Sequence, residues 1–451
     1  MSRKLVRKEQ TAMKHTLLVG AAEVDITPPV GTALAGGIYP RWSEGTDDPL
    51  TIKAVVLESG GVKIACLLLD LIVLSRQYGD AAVALAARQT GIPAGNILWA
   101  ASHTHSGPYT GALLSDASGV VNTRWLAGIP KAFAEAVKRA HDARRPARMC
   151  RERGYCSQAI HNRRLKYKDG REINTWLLHQ GEDGVQCLGS AAPVDPEVGI
   201  LSFDDEQGTP IAILWHYTLH ANSKFGVRFS ADYPGVVAGR LRERFGAHTV
   251  SLFLPGACAD INPILSHRQI GDALAAVIIQ RLEKRAPSKG CVILGALKKE
   301  IVVPYRDLTV SQEKRLKASQ WPEDVQKVFR QQLKRLRESG ETSARTILQA
   351  WRIGEVGFAS VPGELFVEWG LKIKAESPFP WTFPVELGAD YLGYMVTAQA
   401  WKAGGYESLT CGSARPSVDA VACLVDADLG LLRKLYAMHP ARPIAPGRTI
   451  S

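Results

Sequence analysis

The stretch that most constrains this chain is Ser102-His103-Thr104-His105-Ser106-Gly107-Pro108, which closes the apolar run from Asn96 to Ser102. The run is short, its core Ile97-Leu98-Trp99-Ala100-Ala101 holds neither proline nor glycine, and Ser-Gly-Pro stops it, so it reads as a buried strand. If the extended backbone continues to residue 105, side chains two apart share a face, and His103 and His105 emerge together where the strand leaves its sheet. Two imidazoles on one side of a strand end make half of a metal site. The alternative is a pair of hydrogen-bonded histidines in a turn, and the remaining ligands have to come from elsewhere in the chain.

With 451 residues, 46% of them hydrophobic and 22% charged, the chain has ample material for a large core. A formal charge of +11 raises the question of nucleic acid. The basic residues, however, are spread over 144–168, 281–289 and 314–337, and runs such as Lys314-Arg315-Leu316-Lys317 sit at helical spacing, as on solvated helix faces. No nucleic-acid partner is expected. The eight cysteines form no CxxC and several lie inside apolar runs, which fits reduced core residues. Residues 1–14 are basic without an apolar segment and are expected as a disordered leader; no signal peptide or membrane span is evident, so stable membrane insertion is not expected and a cytoplasmic location is the expectation.

Taken in order, Leu17 to Ile26 reads as a strand ended by Pro28-Pro29. Leu50 to Leu57 and Val62 to Leu69 form a hairpin turning at Ser59-Gly60-Gly61, with Asp70 at the exit as a weak acid/base candidate. Arg76 to Thr90 and Trp125 to Ala140 are helices by composition and spacing, an order that argues for a mixed α/β sheet protein with helices on its faces. Arg144 to Tyr167 is the most basic segment. On composition it is expected as a surface strand pair with a solvated basic edge; the functional alternative is an arginine aimed at a substrate oxygen. Gly199 to Phe203, Ile211 to His220, Thr249 to Leu254 and Ala350 to Val361 are further strands, and Val236 to Phe245 and Gly271 to Arg285 further helices. The charged block 308–340, broken at Trp321-Pro322, is expected as a helical insertion covering one flank.

Four further candidates follow strands. His216 and His220 would share a strand face about 13 Å apart, so at most one can join His103 at an ion, and spacing does not choose between them. Asp260 and Asn262 lie in Pro255–Pro263, a small-residue stretch that also suits an ordinary Asx turn. Glu364 follows Val361-Pro362-Gly363, where a solvated turn acid is the alternative. Tyr391, Tyr394 and Tyr406 lie in a Gly- and Tyr-rich loop-strand-loop over Leu387–Tyr406 and are by default core or rim residues.

Read together, the collinear islands Val24-Asp25-Ile26-Thr27-Pro28-Pro29, Ser102–Pro108, Asn162-Arg163, Leu219-His220-Ala221, Gly256–Pro263, Val361–Glu364, Asp390–Tyr394 and Gly405-Tyr406-Glu407 resemble the neutral, non-lysosomal ceramidase family over roughly residues 17 to 410. The resemblance implies a single catalytic domain over 15–451, with two sheets flanked by helices. It also implies one zinc ion per chain held by His103, His220, Glu364 and Tyr394, with His105, Arg163 and Tyr406 as catalytic groups, and so it selects His220 over His216. Two imidazoles and a carboxylate form a common catalytic zinc shell. Zinc lowers the pKa of its water to about 7 and polarises a carbonyl, which suits hydrolysis of a carbon–nitrogen bond. His105, beside the ion, is the expected proton donor to the leaving nitrogen, and Tyr406 and Arg163 are the groups expected to bind the developing oxyanion or hold the substrate.

The chain departs from the family at Ala259-Asp260-Ile261-Asn262-Pro263, where ceramidases carry Gly-Asp-Val-Ser-Pro and an active-site serine, and the family's carboxy-terminal immunoglobulin-like domain is not expected. The expected reaction is therefore zinc-dependent amide hydrolysis on a small-molecule amide other than ceramide, with homo-oligomerisation left open. The competing expectations are an esterase or another small-molecule hydrolase on the same site, and a metal-containing binding protein without turnover.

Overall fold

The structure, a computed structural model, describes residues 16–111, 120–176, 186–288, 291–308, 312–319 and 321–438. The expected leader at 1–14 lies outside them. Alternation of side chains builds the first sheet. In β2 (Thr51–Ser59) and β3 (Val62–Leu69), Val55, Leu57, Ile64, Cys66 and Leu68 point to one side, and Ile52, Ala54, Val56, Ala65, Leu67 and Leu69 to the other. Gly60 and Gly61 join the two strands with φ of 58° and 82°, the left-handed pair that a two-residue hairpin turn needs. With β1 (Leu18–Asp25), β4 (Ile97–Ala101) and β5 (Arg145–Pro146) the sheet runs in the order β4-β3-β2-β1-β5. Its outer face is covered by α1 (Arg76–Thr90) and α2 (Ile129–Asp142) through Ala82, Ala86, Phe133 and Val137. The long helix expected over Trp125–Ala140 is interrupted at Gly128, with a short turn of helix at Thr123–Leu126 before it.

The inner face packs against a second sheet of β6 (Arg148–Tyr155), β7 (Glu197–Asp204), β8 (Pro210–Tyr217) and β9 (Val250–Pro255), in the order β9-β8-β7-β6. Helices α3 (Asp232–Phe245) and α4 (His267–Glu283) cover its far side, Tyr233 packing its ring on Trp215 and Phe253. A third sheet, β10 (Leu294–Pro304), β11 (Ser343–Ile353), β12 (Val356–Ser360) and β13 (Trp381–Val385), extends the core. It is covered by α7 (Val418–Met438), a helix not foreseen in the sequence. The pair of sheets flanked by helices is thus present, with this third four-stranded sheet beside it. The block 308–340 forms helices Gln312–Ala318 and α5 (Glu323–Ser339) with the expected break before Pro322. It seats Val325 and Phe329 against Phe366, Tyr394 and the Tyr406 ring.

Each large sheet contains one parallel pair bridged by a helix: β3 and β4 across α1, β8 and β9 across α3, and β12 and β13 across α6 (Val367–Glu376). The carboxyl end of a parallel pair is where open sheets leave a crevice for ligands. His103 follows β4, His220 follows β8, and Glu364 follows β12. The eight cysteines are all unpaired, and among the described residues no helix is long and apolar enough to cross a membrane.

The basic segment differs from expectation. Far from lying on a solvated edge, Arg163 and Arg164 are 2% and 1% exposed, because β6 joins the second sheet and the chain then passes through the short strands Ile160–Asn162 and Arg164–Tyr167, at whose junction both arginines meet buried carboxylates. Asp70 is also internal, paired at 2.8 Å with Lys53 and accepting from the Thr51 amide, so it anchors a sheet end.

Asp232 opens α3 at φ 57° and accepts from Ser223 Oγ and from the backbone N–H groups of Lys224 and Tyr233, tying down the loop after His220. Burial pushes its carboxyl up to about 6, above an unfolded value of about 4. Between those values the folded chain holds more proton than the unfolded one, so this group's contribution to stability falls as pH rises through the window. Thermal denaturation of wild type and Asp232→Asn should show the wild-type advantage greatest near the lower value and reduced at neutral pH. An advantage that grows with pH would contradict this account.

Candidate metal centre

The two histidines of His103-Thr104-His105 come together by a route other than the strand alternation expected. The strand ends at Ala101, and His103 takes φ 63°, a left-handed backbone that costs a non-glycine residue about 1 kcal/mol or more. The turn is held by Ser102 N–H on Leu69 O and His103 N–H on Leu71 O, each at 2.9 Å. His105 N–H in turn donates to Ala221 O at 3.0 Å, docking the turn directly beside His220.

The nitrogen atoms of His103, His105 and His220 form a group able to hold an ion, with one ligand atom from each within 4.8 Å of the others. Their tautomers follow from their other contacts. His103 Nδ1 lies 2.8 Å from Ile72 O, His220 Nδ1 2.8 Å from Cys258 O, and His105 Nδ1 3.0 Å from Gly36 O. A carbonyl only accepts, so each Nδ1 carries the hydrogen and each Nε2 is left with a lone pair. The Nε2 atoms of His103 and His220 face each other at 3.1 Å, and Glu364 Oε2 stands 3.4 Å and 3.5 Å from them. Two lone pairs and an anionic oxygen converging in a buried space repel one another unless a cation joins them. Among the described residues neither His105 Nε2 nor Glu364 Oε2 has a hydrogen-bond partner, which leaves their lone pairs free within the group. The residues therefore fit a metal.

The electrostatics agree. Burial above all holds His105 and His220 well below the ordinary imidazole value, so both are neutral. Burial would lower His103 too, but the Glu364 carboxylate overcomes it and raises the value. The same negative charge draws a cation. His216 takes no part: its Nε2 donates to Pro384 O at 2.8 Å and its ring stacks on Phe383 within the core.

Glycines shape the approach. A Cβ at Gly36, whose φ is 86°, would strike the His105 ring at 2.6 Å, and one at Gly363 would meet Gly393 O at 2.5 Å. The second contact matters because Glu364 sits in a short parallel pair with Tyr394, its N–H on Gly393 O at 3.1 Å. Tyr394 is thereby placed across from Glu364, yet the hydroxyl that donates to Glu364 Oε1, at 2.7 Å, belongs to Tyr391.

Next to the histidines, Arg163 reaches into a ring of aromatics. Its guanidinium carbon lies 5.0 Å from the Trp176 ring, 5.5 Å from Tyr394 and 5.9 Å from Tyr406. Trp321 and Phe329 of the helical insertion close on Tyr406 from outside. Arg163 Nε donates to Glu407 Oε1 at 2.8 Å and Nη1 to Asn262 Oδ1 at 3.3 Å, while Nη2 has no partner. Glu407 also takes Arg164 Nη1 and Asn174 Nδ2. Burial would raise its carboxyl, but the two arginines outweigh that and hold it below the usual range. Asp260 is a structural tie, accepting from Val367 N–H and Asn162 Nδ2.

Sequence reasoning therefore named the groups that gather here, but assigned no role to Tyr391, Glu407 or Trp176. Glu407 stands next to Tyr406 in a quoted motif, and its acidic side chain after an aromatic was the available signal. The partner relation to Arg163 spans 244 residues and left no local trace.

Fold and site together define a mixed α/β protein with a buried group of three histidines that could hold a metal ion, a carboxylate beside it, at the carboxyl ends of parallel strand pairs. The fold is ceramidase-like: the chain is similar to the crystal structure of neutral ceramidase from Pseudomonas aeruginosa, with a TM-score of 0.72 at 17% identity over 96% of this chain and 76% of that one. It is similar also to a ceramidase complexed with C2, with a TM-score of 0.70 at 17% identity over 96% and 77% of the two chains. No family model and no curated protein sequence matches it.

Removing one side of a buried ion pair leaves the other charge uncompensated, at a cost of about 3–5 kcal/mol. Glu407→Ala, which strands two buried arginines, should lose stability on that scale in chemical denaturation. A loss within about 0.5 kcal/mol, the range of surface substitutions, would show that the network is solvated.

Proposed function

We propose that this chain is a metal-dependent hydrolase that cleaves the carbon–nitrogen bond of a linear small-molecule amide other than ceramide. The observation that carries the reading is the convergence of the His103 and His220 Nε2 lone pairs and Glu364 Oε2 on one buried point, with every Nδ1 hydrogen committed to a backbone carbonyl. Zinc is the ion this mixed nitrogen and oxygen donor set favours, held by His103, His220 and Glu364 with Tyr394 as fourth ligand. When bound, it supplies a water acidic enough to be deprotonated near neutral pH and polarises the scissile carbonyl.

The chain's own groups do the rest. His105 is fixed by Gly36 O with a free Nε2, and burial makes its imidazolium a ready acid. A proton taken up at Nε2 during attack is therefore passed readily to the leaving nitrogen, without which an amine does not depart. Arg163 Nη2, positioned by Glu407 and Asn262, donates to the developing oxyanion. Tyr406, edge-on to Tyr394, Trp176, Trp321 and Phe329, lines an aromatic wall for the acyl or amine part. Asn262 replaces a hydroxyl with an amide that is already engaged by Arg163 and Asn222, which favours a substrate other than a ceramide.

Metal content of purified wild type, His103→Ala and Tyr394→Phe, measured with hydrolysis of a panel of N-acyl amines and matched esters on the same samples, tests this. The reading expects about one zinc per chain, the stoichiometry of a single catalytic site. It expects both zinc and amide turnover to be lost in His103→Ala, and weaker retention in Tyr394→Phe. Turnover of esters alone would favour the esterase, zinc without turnover the binding protein, and undiminished activity after chelation would refute a metal mechanism.

A further inference from the structure

Glu386 follows β13 (Trp381–Val385) and is 1% exposed, in a core where an acidic side chain has to have a reason. Its Oε2 accepts two backbone N–H groups, those of Cys258 and Leu365, both at 3.0 Å, and its Oε1 takes the Cys258 thiol at 2.9 Å. Its own N–H donates to Pro255 O at 3.0 Å, which joins the ends of β13 and β9.

These two amides belong to the residues that hold the proposed metal ligands. Cys258 is the residue whose carbonyl fixes the His220 Nδ1 hydrogen, and Leu365 is bonded to Glu364. One oxygen atom thus spans the loop after β9 and the strand that carries Glu364, two segments 107 residues apart. The carbonyl of Cys258 aims at His220 only while the peptide on its other side is held. The backbone of Glu364 is fixed on one side by Gly393 O and on the other by this carboxyl.

We propose that Glu386 is a positioning residue for the metal centre: by accepting the Cys258 and Leu365 N–H groups on one oxygen, it sets His220 and Glu364 at their mutual distance. This rests on the metal reading above. Groups that orient metal ligands from behind typically account for 10- to 100-fold in metal affinity.

The test uses zinc itself, titrated into chelator-stripped full-length protein in competition with a chromogenic chelator. Wild type is compared with Glu386→Met, Glu386→Asp, Glu386→Gln and Cys258→Ala. Met removes the acceptor, and Asp withdraws it by one methylene. Both should weaken zinc binding by about 10- to 100-fold; Met, which leaves two buried N–H groups unpaired, should also lower the melting temperature in chelator, and the Gln variant should not. Gln keeps an acceptor oxygen and should restore affinity to within about threefold, a rescue that a purely structural role or a charge effect would not give. Cys258→Ala removes only the thiol contact and should leave zinc affinity unchanged.

Should Met fail to fold, the Asp and Gln variants carry the same contrast. Wild-type affinity in the Asp and Met variants overturns the proposal while leaving the metal reading intact, as does a Gln variant no better than Met. A wild type that binds no zinc overturns the metal reading itself.

Discussion

The site depends on three hydrogen bonds that never touch a ligand. Each of His103, His105 and His220 gives its Nδ1 hydrogen to a backbone carbonyl, of Ile72, Gly36 and Cys258 respectively. The tautomer is settled by geometry before any ion arrives, and the Nε2 lone pairs are aimed with the rigidity of the main chain rather than of other side chains. The carbonyls come from the turn after β3, from a glycine that admits the ring only because it lacks Cβ, and from the loop after β9. Glu364 then needs no partner of its own on Oε2, since its role in the arrangement is to complete a set of repelling donors.

Around this centre the charges are arranged as buried pairs. Arg163 and Arg164 are balanced by Glu407 and Glu172, and the free donor of Arg163 is what remains after Glu407 and Asn262 have fixed the other two nitrogens. An arginine with one unused nitrogen, seated among aromatic faces, offers a directed donor in a place where water competes poorly. The helical insertion completes the enclosure from outside, Trp321 and Phe329 resting on Tyr406, and Tyr39 reaching from the loop that contains Gly36 to Asp324 at its edge.

Much of the framework was legible in the sequence because local rules wrote it. The hairpin Thr51–Leu69 follows from alternation and two glycines, and α1 from its composition; the histidine pair stood out at the end of a buried strand. The reason offered for that pair was wrong in detail: it predicted an extended backbone, where His103 is left-handed. Spacing also could not separate His216 from His220. Only the end of β8 at Tyr217, which leaves one in the sheet and the other past it, makes that choice physical. The burial of Arg163 and Arg164 was illegible for a different reason. A basic cluster reads as a solvated edge unless the acids that neutralise it are evident: Glu172 lies eight residues from Arg164, but Glu407, which takes both arginines, is more than 240 residues away.

The ligands proposed here come from three sheets: His103 from the end of the first, His220 from the second 117 residues later, and Glu364 from the third. No pair of them lies within one hairpin or one helix, so no local folding event can bring them together. The chain has to close loops of more than a hundred residues, and dock all three sheets, before the donor atoms meet. Ion capture is then a late event in folding. An ion bound there staples the sheets to one another, and its release loosens the assembly at the junction rather than at its surface.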